Sequence, residues 1–435
     1  MRTMSILPYV ALAWAAPASQ LPYVCPMEWI TTASQPAIVA QQMLNRAPGR
    51  RAIFIEHAPD FFWSRPGDRV KDANGNYLNY QSPWLDHGVA NSKAFFNAFW
   101  PQYKAAGASV DFVASDAEVS LSKWAISFAQ IEAIGADPRY APLGAKYGLP
   151  DVSASSSFSK SAGEWILWNA IMDSEVASYT RQAINQPLIS VFPDAGYSEY
   201  YNASLSLSVA QMAPDLNGWR QNTFDPLWGS YQAPVYYHVF SQISLPGRND
   251  GTNPNFAASP MPTLIWETES ARAHTLSSNA PQIPWIAYKT YAGVPAANFP
   301  LAKTPYYDEA LWHIMLCSNI TDVLFWNPKN EQNTAPGGEF DQNNAAMNDD
   351  LQAFSNATNG ATSIQCITLS AVPYNSQVLV SGAECTGPKG KRRVFRITLA
   401  PGLHTATLTL PGDAAPRTIV TGANSTGLWI VIPEQ

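Results

Sequence analysis

Two pairs of carboxylates, each spaced two residues apart at the end of an apolar run, are the residues of this chain best placed to do chemistry. In Val110-Asp-Phe-Val-Ala-Ser-Asp-Ala-Glu118 the pair is Asp116 and Glu118; in Thr263-Leu-Ile-Trp-Glu-Thr-Glu269 it is Glu267 and Glu269. Side chains at i and i+2 of a strand share a face, roughly 7 Å apart along the chain. If both runs are strands, each pair faces one space at a strand end. Burial and mutual repulsion can then hold one carboxyl protonated while its neighbour stays ionised, so that the two divide the work of acid and base. Cleavage of a glycosidic bond uses such a pair, ~5–5.5 Å apart when configuration is retained and ~6.5–9.5 Å apart when it is inverted. Asp116, Glu118, Glu267 and Glu269 are therefore the catalytic candidates. The competing role for an acid at a strand end is to cap the next helix.

Candidate binding groups lie near the ends of other apolar runs. Glu56 and His57 close Arg51-Ala-Ile-Phe-Ile-Glu-His57, with Trp63 shortly after, and they offer polar groups for hydroxyls beside an aromatic platform. Asp194 ends Leu188-Ile-Ser-Val-Phe-Pro-Asp194, and His238 lies inside Val235-Tyr-Tyr-His-Val-Phe240. Trp266 precedes the second carboxylate pair, while Trp326 and Asn327 finish Asp322-Val-Leu-Phe-Trp-Asn-Pro328. Aromatic residues make up 12% of the chain, with 15 Trp and 19 Tyr, against only 14% charged residues. Flat apolar faces with a polar handle suit the faces of sugar rings.

Here a resemblance can be stated. Asp111-Phe-Val-Ala-Ser-Asp116-Ala-Glu118 resembles the chitinase-type motif Asp-x-x-Asp-x-Asp-x-Glu, with Ala114 where the second Asp stands. The resemblance implies Glu118 as the acid and Asp116 as the partner that orients the substrate's own N-acetyl group. More broadly, the chain resembles (β/α)8 glycoside hydrolases that carry a C-terminal β-sandwich.

The elements that must position these residues alternate along the chain. Expected strands are Tyr23–Trp29 (or Tyr9–Trp14), 51–57, 110–118, 188–194, 235–240, 263–269, 284–288 and 322–328. Expected helices include 36–45, 93–106, 124–134, 164–184 and 307–316. About eight such repeats predict a (β/α)8 barrel over residues 1–360, whose substrate loops follow the strands. Beyond that, short alternating strands at 377–381, 393–398, 405–410 and 427–432, separated by Gly, Pro and Asn, predict a small antiparallel β-sandwich over 361–435.

A hydrophobic share of 46% allows a sizeable core, and a net charge of −7 without a long basic patch argues against nucleic acid as a partner. No run reaches the ~18 apolar residues of a transmembrane helix. Residues 1–18 have the basic start, apolar middle and small-residue end of a secretory signal, although Tyr9–Trp14 could equally be a strand. Four N-x-Ser/Thr triplets, at Asn202, Asn319, Asn356 and Asn424, fit an extracellular or periplasmic protein. The cysteines, Cys25, Cys317, Cys366 and Cys385, lack metal spacing. Cys366 and Cys385 share the β-rich tail and could be bridged, while Cys25 and Cys317 lie near the two ends of the expected barrel. Neither metal nor cofactor is called for. Gly-x-Ser-x-Gly, P-loop, dinucleotide and HExxH patterns are missing, which weakens esterase, nucleotide and zinc-protease readings. The expected function is glycoside hydrolysis with a carbohydrate as partner. A non-catalytic carbohydrate-binding or structural barrel and a different barrel hydrolase (an amidase or deacetylase) are the rivals. The sequence sets no oligomeric state.

Overall fold

The computed structural model describes residues 23–25, 27–46, 50–55, 69–84, 88–116, 128–149, 152, 178–179, 181–202, 233–235, 261–277, 283–287, 306–317, 322–326, 352–370, 372–373, 375–388, 390–423 and 425–433. The first described elements are two short strands, β1 (Tyr23–Cys25) and β2 (Met27–Ile30), and helix α1 (Pro36–Leu44). Pro36 opens that helix, where its fixed φ fits and its missing N–H costs nothing. Val39, Ala40 and Met43 recur on its buried face. Next come β3 (Ala52–Ile55), the hairpin β4 (Arg69–Lys71) and β5 (Tyr77–Gln81), and the long helix α2 (Gly88–Ala105). Strand β6 (Phe112–Asp116) is followed by α3 (Phe128–Ala136) and α4 (Tyr140–Tyr147). A π-helical turn (Arg181–Asn185) then runs into α5 (Gln186–Val191) and β7 (Gly196–Asn202).

Strand β8 (Ala233–Val235), helix α6 (Met261–Ser277), β9 (Trp285–Ala287), helix α7 (Tyr306–Cys317) and β10 (Asp322–Trp326) complete the larger sheet. All its pairings are parallel, in the order β1-β10-β9-β8-β7-β6-β3-β2. The two ends of that order are consecutive pieces of chain separated only by residue 26. Residues 23–25 pair with β10, and residues 27–30 pair with β3. The ladder thus returns to the segment from which it started.

Alternation sorts the strand residues onto two faces. Ile30, Ile53, Ile55, Val113 and Tyr197 join Val39, Met43, Phe96, Phe99, Trp100 and Tyr103 from α1 and α2 in one core cluster, so this face meets the helices. The other face carries Ala52, Phe54, Phe112 and Ala114, all buried. At the N-terminal ends of the strands, Arg50 lies over the Phe112 ring at 4.2 Å and donates to Asp322 Oδ2 at 2.5 Å. Asp322 Oδ1 accepts from the Cys25 thiol at 3.5 Å. An ion pair therefore occupies this end of the inner face.

After α8 (Gln352–Thr358) the chain becomes antiparallel. Strands β11 (Ser363–Cys366), β12 (Val378–Gly387), β13 (Gly390–Leu399) and β16 (Gly427–Pro433) form one sheet. Strands β14 (Thr405–Leu408) and β15 (Arg417–Val420) form a second. Phe395, Ile397, Leu399, Leu410 and Ile419 build a separate core between them. This module docks on α6 and α7 through buried polar groups. Glu309 accepts from Arg396 Nε at 2.7 Å and from Thr398 and Thr426 Oγ1 at 2.5 Å each. His313 is hydrogen-bonded through Nδ1 to Ser381 Oγ at 2.7 Å and through Nε2 to Thr398 Oγ1 at 2.9 Å. The Arg396 guanidinium lies 4.4 Å from the Trp312 ring and 5.1 Å from that of Trp429.

Alternating strands and helices with an antiparallel tail match the sequence expectation; the expected strand Tyr23–Trp29 appears, while Tyr9–Trp14 lies outside the described residues. Two expected strands are corrected. Residues 263–269 lie in α6, and 188–191 lie in α5, so the expected count of eight repeats loses two of its members. The buried positions Leu264, Ile265, Thr268, Ala271 and Arg272 recur every three or four residues, the helical period, and Pro262 opens the helix. In the other case Pro187 opens α5, and the strand falls later, on Gly196–Asn202. Short apolar runs fit either element, and length with flanking residues decides between them. No two of the four cysteines are joined as a disulfide.

Candidate active site

Asp116 is the last residue of β6, paired in register with Tyr200 of β7. Position 116 falls on the face of Phe112 and Ala114 rather than that of Val113 and Ser115. That matters because the second face is committed to the helices: Ser115 Oγ and Tyr197 OH share a 2.9 Å hydrogen bond there, both buried. Trp326 ends β10 in the same way. Positions 322, 324 and 326 alternate onto one face, and Asp322 is fixed on the inner side by Arg50 and Cys25. Positions 116 and 326 thus close their parallel strands at the C-terminal end, at register positions of the inner face.

Sequence reasoning passed over a third member of this rim. Trp29 lies one residue from the end of β2, with its ring 4.3 Å from Phe54 and at 62° to it. Trp29, Phe54 and Ala114 are register partners across β2, β3 and β6, so Trp29 shares the inner face with position 116. Its indole is only partly covered, yet its Nε1 is buried without a hydrogen-bond acceptor among the described residues. A buried N–H normally finds a partner. The signal in the sequence was the strand Tyr23–Trp29 itself, which ends in a tryptophan just as 322–326 does.

The second carboxylate pair is not part of this arrangement. Glu267 and Glu269 lie on helix α6, where positions i and i+2 diverge. Glu269 is buried, and its Oε1 accepts from Arg272 Nη1 at 2.5 Å and from the Val372 N–H at 3.2 Å. Burial pushes its carboxyl above the usual range, and the neighbouring Arg272 pulls the other way. Arg272 also donates to the carbonyls of Ser370 and Val380, so this pair ties the helix to the β-module. Trp266 shares α6 and leaves the strand-end set with them.

Asp194 is displaced too. It sits exposed in the turn between α5 and β7, two residues before a strand that runs parallel to β6. It therefore lies at the opposite end of the sheet from Asp116. That end is where Asp111 Oδ2 accepts the Arg51 N–H at 2.7 Å. Glu56, His57, Trp63, Glu118, His238 and Asn327 lie outside the described residues. Glu56 and Asn327 directly follow the last residues of β3 and β10, and Glu118 is two residues past β6.

Ala114, which stands where the chitinase-type motif has its second Asp, is 2% exposed on the inner face. No cluster of three or more His, Cys, Asp or Glu side chains able to hold a metal ion occurs among the described residues. Nor, among them, is any helix long and apolar enough to cross a membrane.

No protein-family profile and no curated protein matches this chain. Among solved structures it is similar to the catalytic domain of a beta-amylase from Paenibacillus polymyxa, at 10% identity and a TM-score of 0.38, covering 75% of this chain and 99% of that one. It is also similar to a beta-galactosidase from the psychrophilic Marinomonas ef1, at 9% identity and a TM-score of 0.43, covering 78% of this chain and 61% of that one. At these identities the chemistry has to be read from the chain's own residues.

Proposed function

We propose that this protein is a glycoside hydrolase whose parallel ladder closes as a (β/α)-type barrel over about residues 1–360, with a β-sandwich appended over 361–435. The observation that carries the reading is the position of Asp116. It is an acidic residue closing a parallel strand at its C-terminal end, at an inner-face register position, as Trp326 closes β10. Parallel α/β barrels carry their reactive groups at that rim, and tryptophan faces there match the apolar faces of a sugar.

Glu118, two residues beyond the strand, is the proposed acid, and Asp116 the carboxylate that sets its charge. In the proposed reaction Glu118 passes a proton to the leaving oxygen, a role that an ionised carboxylate partner favours in general. The inner neighbour of Asp116 is the buried Ala114 rather than an acid, so the proposal extends to glycoside hydrolysis and not to the N-acetyl-assisted route of the chitinase-type motif. A carbohydrate is the proposed partner and an exported location the proposed setting, with no cofactor required.

The test is a hydrolysis screen over polysaccharides and aryl glycosides with the wild type, Glu118→Gln and Asp116→Asn. Turnover that falls by about 100-fold or more in Glu118→Gln, with sugar binding retained, is the expected result. Wild-type turnover left unchanged in both variants would move the chemistry away from β6. Sugar binding without turnover on any substrate would favour the non-catalytic carbohydrate-binding reading.

A further inference from the structure

We infer that His313 and Ser381 form an acid-released latch between helix α7 and the C-terminal β-module, set by hydrogen bonds that all run in one direction. That direction starts from Glu309. Paired with Arg396, its carboxylate only accepts, so the Thr398 hydroxyl gives its single proton to Glu309 Oε2 at 2.5 Å. The Thr398 oxygen is then the acceptor in its 2.9 Å contact with His313, which puts a proton on Nε2. Nδ1 of the neutral ring holds a lone pair, and the Ser381 hydroxyl 2.7 Å away donates to it. The Ser381 oxygen in turn accepts from the Cys317 thiol at 3.3 Å. Four protons therefore line up from Cys317 through Ser381, His313 and Thr398 to Glu309. Cys317, His313 and Glu309 belong to α7, while Ser381 and Thr398 belong to β12 and β13, so every step crosses the boundary.

A second proton on His313 breaks this sequence. Nδ1–H then needs the Ser381 oxygen as its acceptor, and the Ser381 proton loses its place in the chain. The imidazolium would also lie beside the Arg396 and Arg272 guanidiniums in a fully buried site, where water cannot offset the repulsion. The charged and titratable groups around the ring are Glu309 and Cys317 on α7, Arg396 on β13, and Arg272 with its partner Glu269 on α6. Strand β11 packs on α7 as well and ends in Cys366. Undocking the module puts His313 in water, where imidazole takes up its proton near pH 6.5. The undocked form then binds more protons than the docked one, and it gains population as pH falls below that value. Helix α7 has 12 residues, about the length at which a helix is marginal without packing, so its amides report the release.

The experiment follows hydrogen exchange in the full-length protein from pH 7.5 to 5, corrected for the intrinsic pH dependence of exchange. The ring nitrogens of His313 are read in parallel by 15N NMR. The expected opening equilibrium of α7 rises by about 30-fold over that range, the effect of one proton bound near pH 6.5 in the open form alone. Exchange in β3 and β6 should stay constant. The rise should vanish in His313→Gln and remain in Cys317→Ala. A thiolate at Cys317 would claim the Ser381 proton for itself; the rise would then vanish in Cys317→Ala, and the assignment to His313 would fall. A proton on Nδ1 rather than Nε2 at pH 7.5, or a folded His313 that titrates near 6.5, would overturn the latch. So would an equal loss of protection in β3 and β6, which would mean unfolding of the whole chain. The exchange profile and the ring tautomer are both read on the wild type, so they decide the matter even if a variant folds poorly. None of the latch residues belongs to the strand-end rim, and the inference stands apart from the glycosidase reading.

Discussion

Asp116 and Glu269 begin as members of equivalent patterns, and their surroundings give them opposite work. Asp116 ends a strand at an inner rim, whereas Glu269 is enclosed with Arg272 under the β-module. Replacing Glu269 by Gln takes the carboxylate away from a buried guanidinium, and removing one member of a buried ion pair costs about 3 kcal/mol. We therefore expect Glu269→Gln to lower the urea midpoint while leaving kcat per folded molecule unchanged. A fall in kcat at unchanged stability would return Glu269 to the catalytic set. The same argument applies to Arg50, which neutralises the fully buried Asp322. Arg50→Met should cost a similar ~3 kcal/mol by denaturant titration, and Asp322→Asn in the same chain should restore part of it, since no charge is then left alone.

Elements built from one clear period were legible in the sequence. Helix 307–316 and strand 427–432 appear with ends within a residue or so, and strands 110–118 and 322–328 appear over 112–116 and 322–326, with 117–118 and 327–328 outside the described residues. Apolar runs flanked by proline were not legible, because Pro187 and Pro262 look like strand boundaries and prove to be the first turns of helices. Gly196–Asn202 was not among the expected strands, for the converse reason. Its Gly and Tyr residues mimic a turn, and only pairing with β6 makes it a strand. Of the candidate residues, Asp116 and Trp326 do end strands as expected, because strand ends can be read from sequence. Trp29 was missed because its role depends on the register with Phe54, a long-range fact. Long-range packing also constrains Gly427 at the start of β16, where a Cβ would run into the Ile397 carbonyl and crowd the Glu309 carboxylate. Gly427→Ala should cost about 2 kcal/mol and speed hydrogen exchange in residues 390–399, the partner strand. Unchanged protection there would show that β13 and β16 separate at no cost.

Across the whole molecule, the junction between α6, α7 and the β-module is held by buried polar groups, and this makes it sensitive to acid. Burial, with Arg396 and Arg272 nearby, holds the His313 imidazole well below its ordinary range. Glu309, Arg396, Arg272 and Cys317 are the charged and titratable groups around it on both sides of the junction. In the unfolded chain His313 takes up its proton near pH 6.5, and in the folded chain only at much lower pH. The unfolded state then binds more protons, so this stability is complete above about pH 6.5 and is lost as pH falls below it. Tm measured from pH 7.5 to 5 should decline, and His313→Gln should flatten that part of the decline. A second consequence concerns the order of assembly. Tyr23 pairs with Asp322, so nearly the whole larger sheet separates the two in sequence. On a ribosome the first strand is made early and can pair at once with β3 through residues 27–30, but residues 23–25 must wait for β10. Contacts so distant in sequence slow folding. Until β10 emerges, the nascent chain carries an open parallel edge, and its exposure to aggregation lasts as long as synthesis of the segment between them.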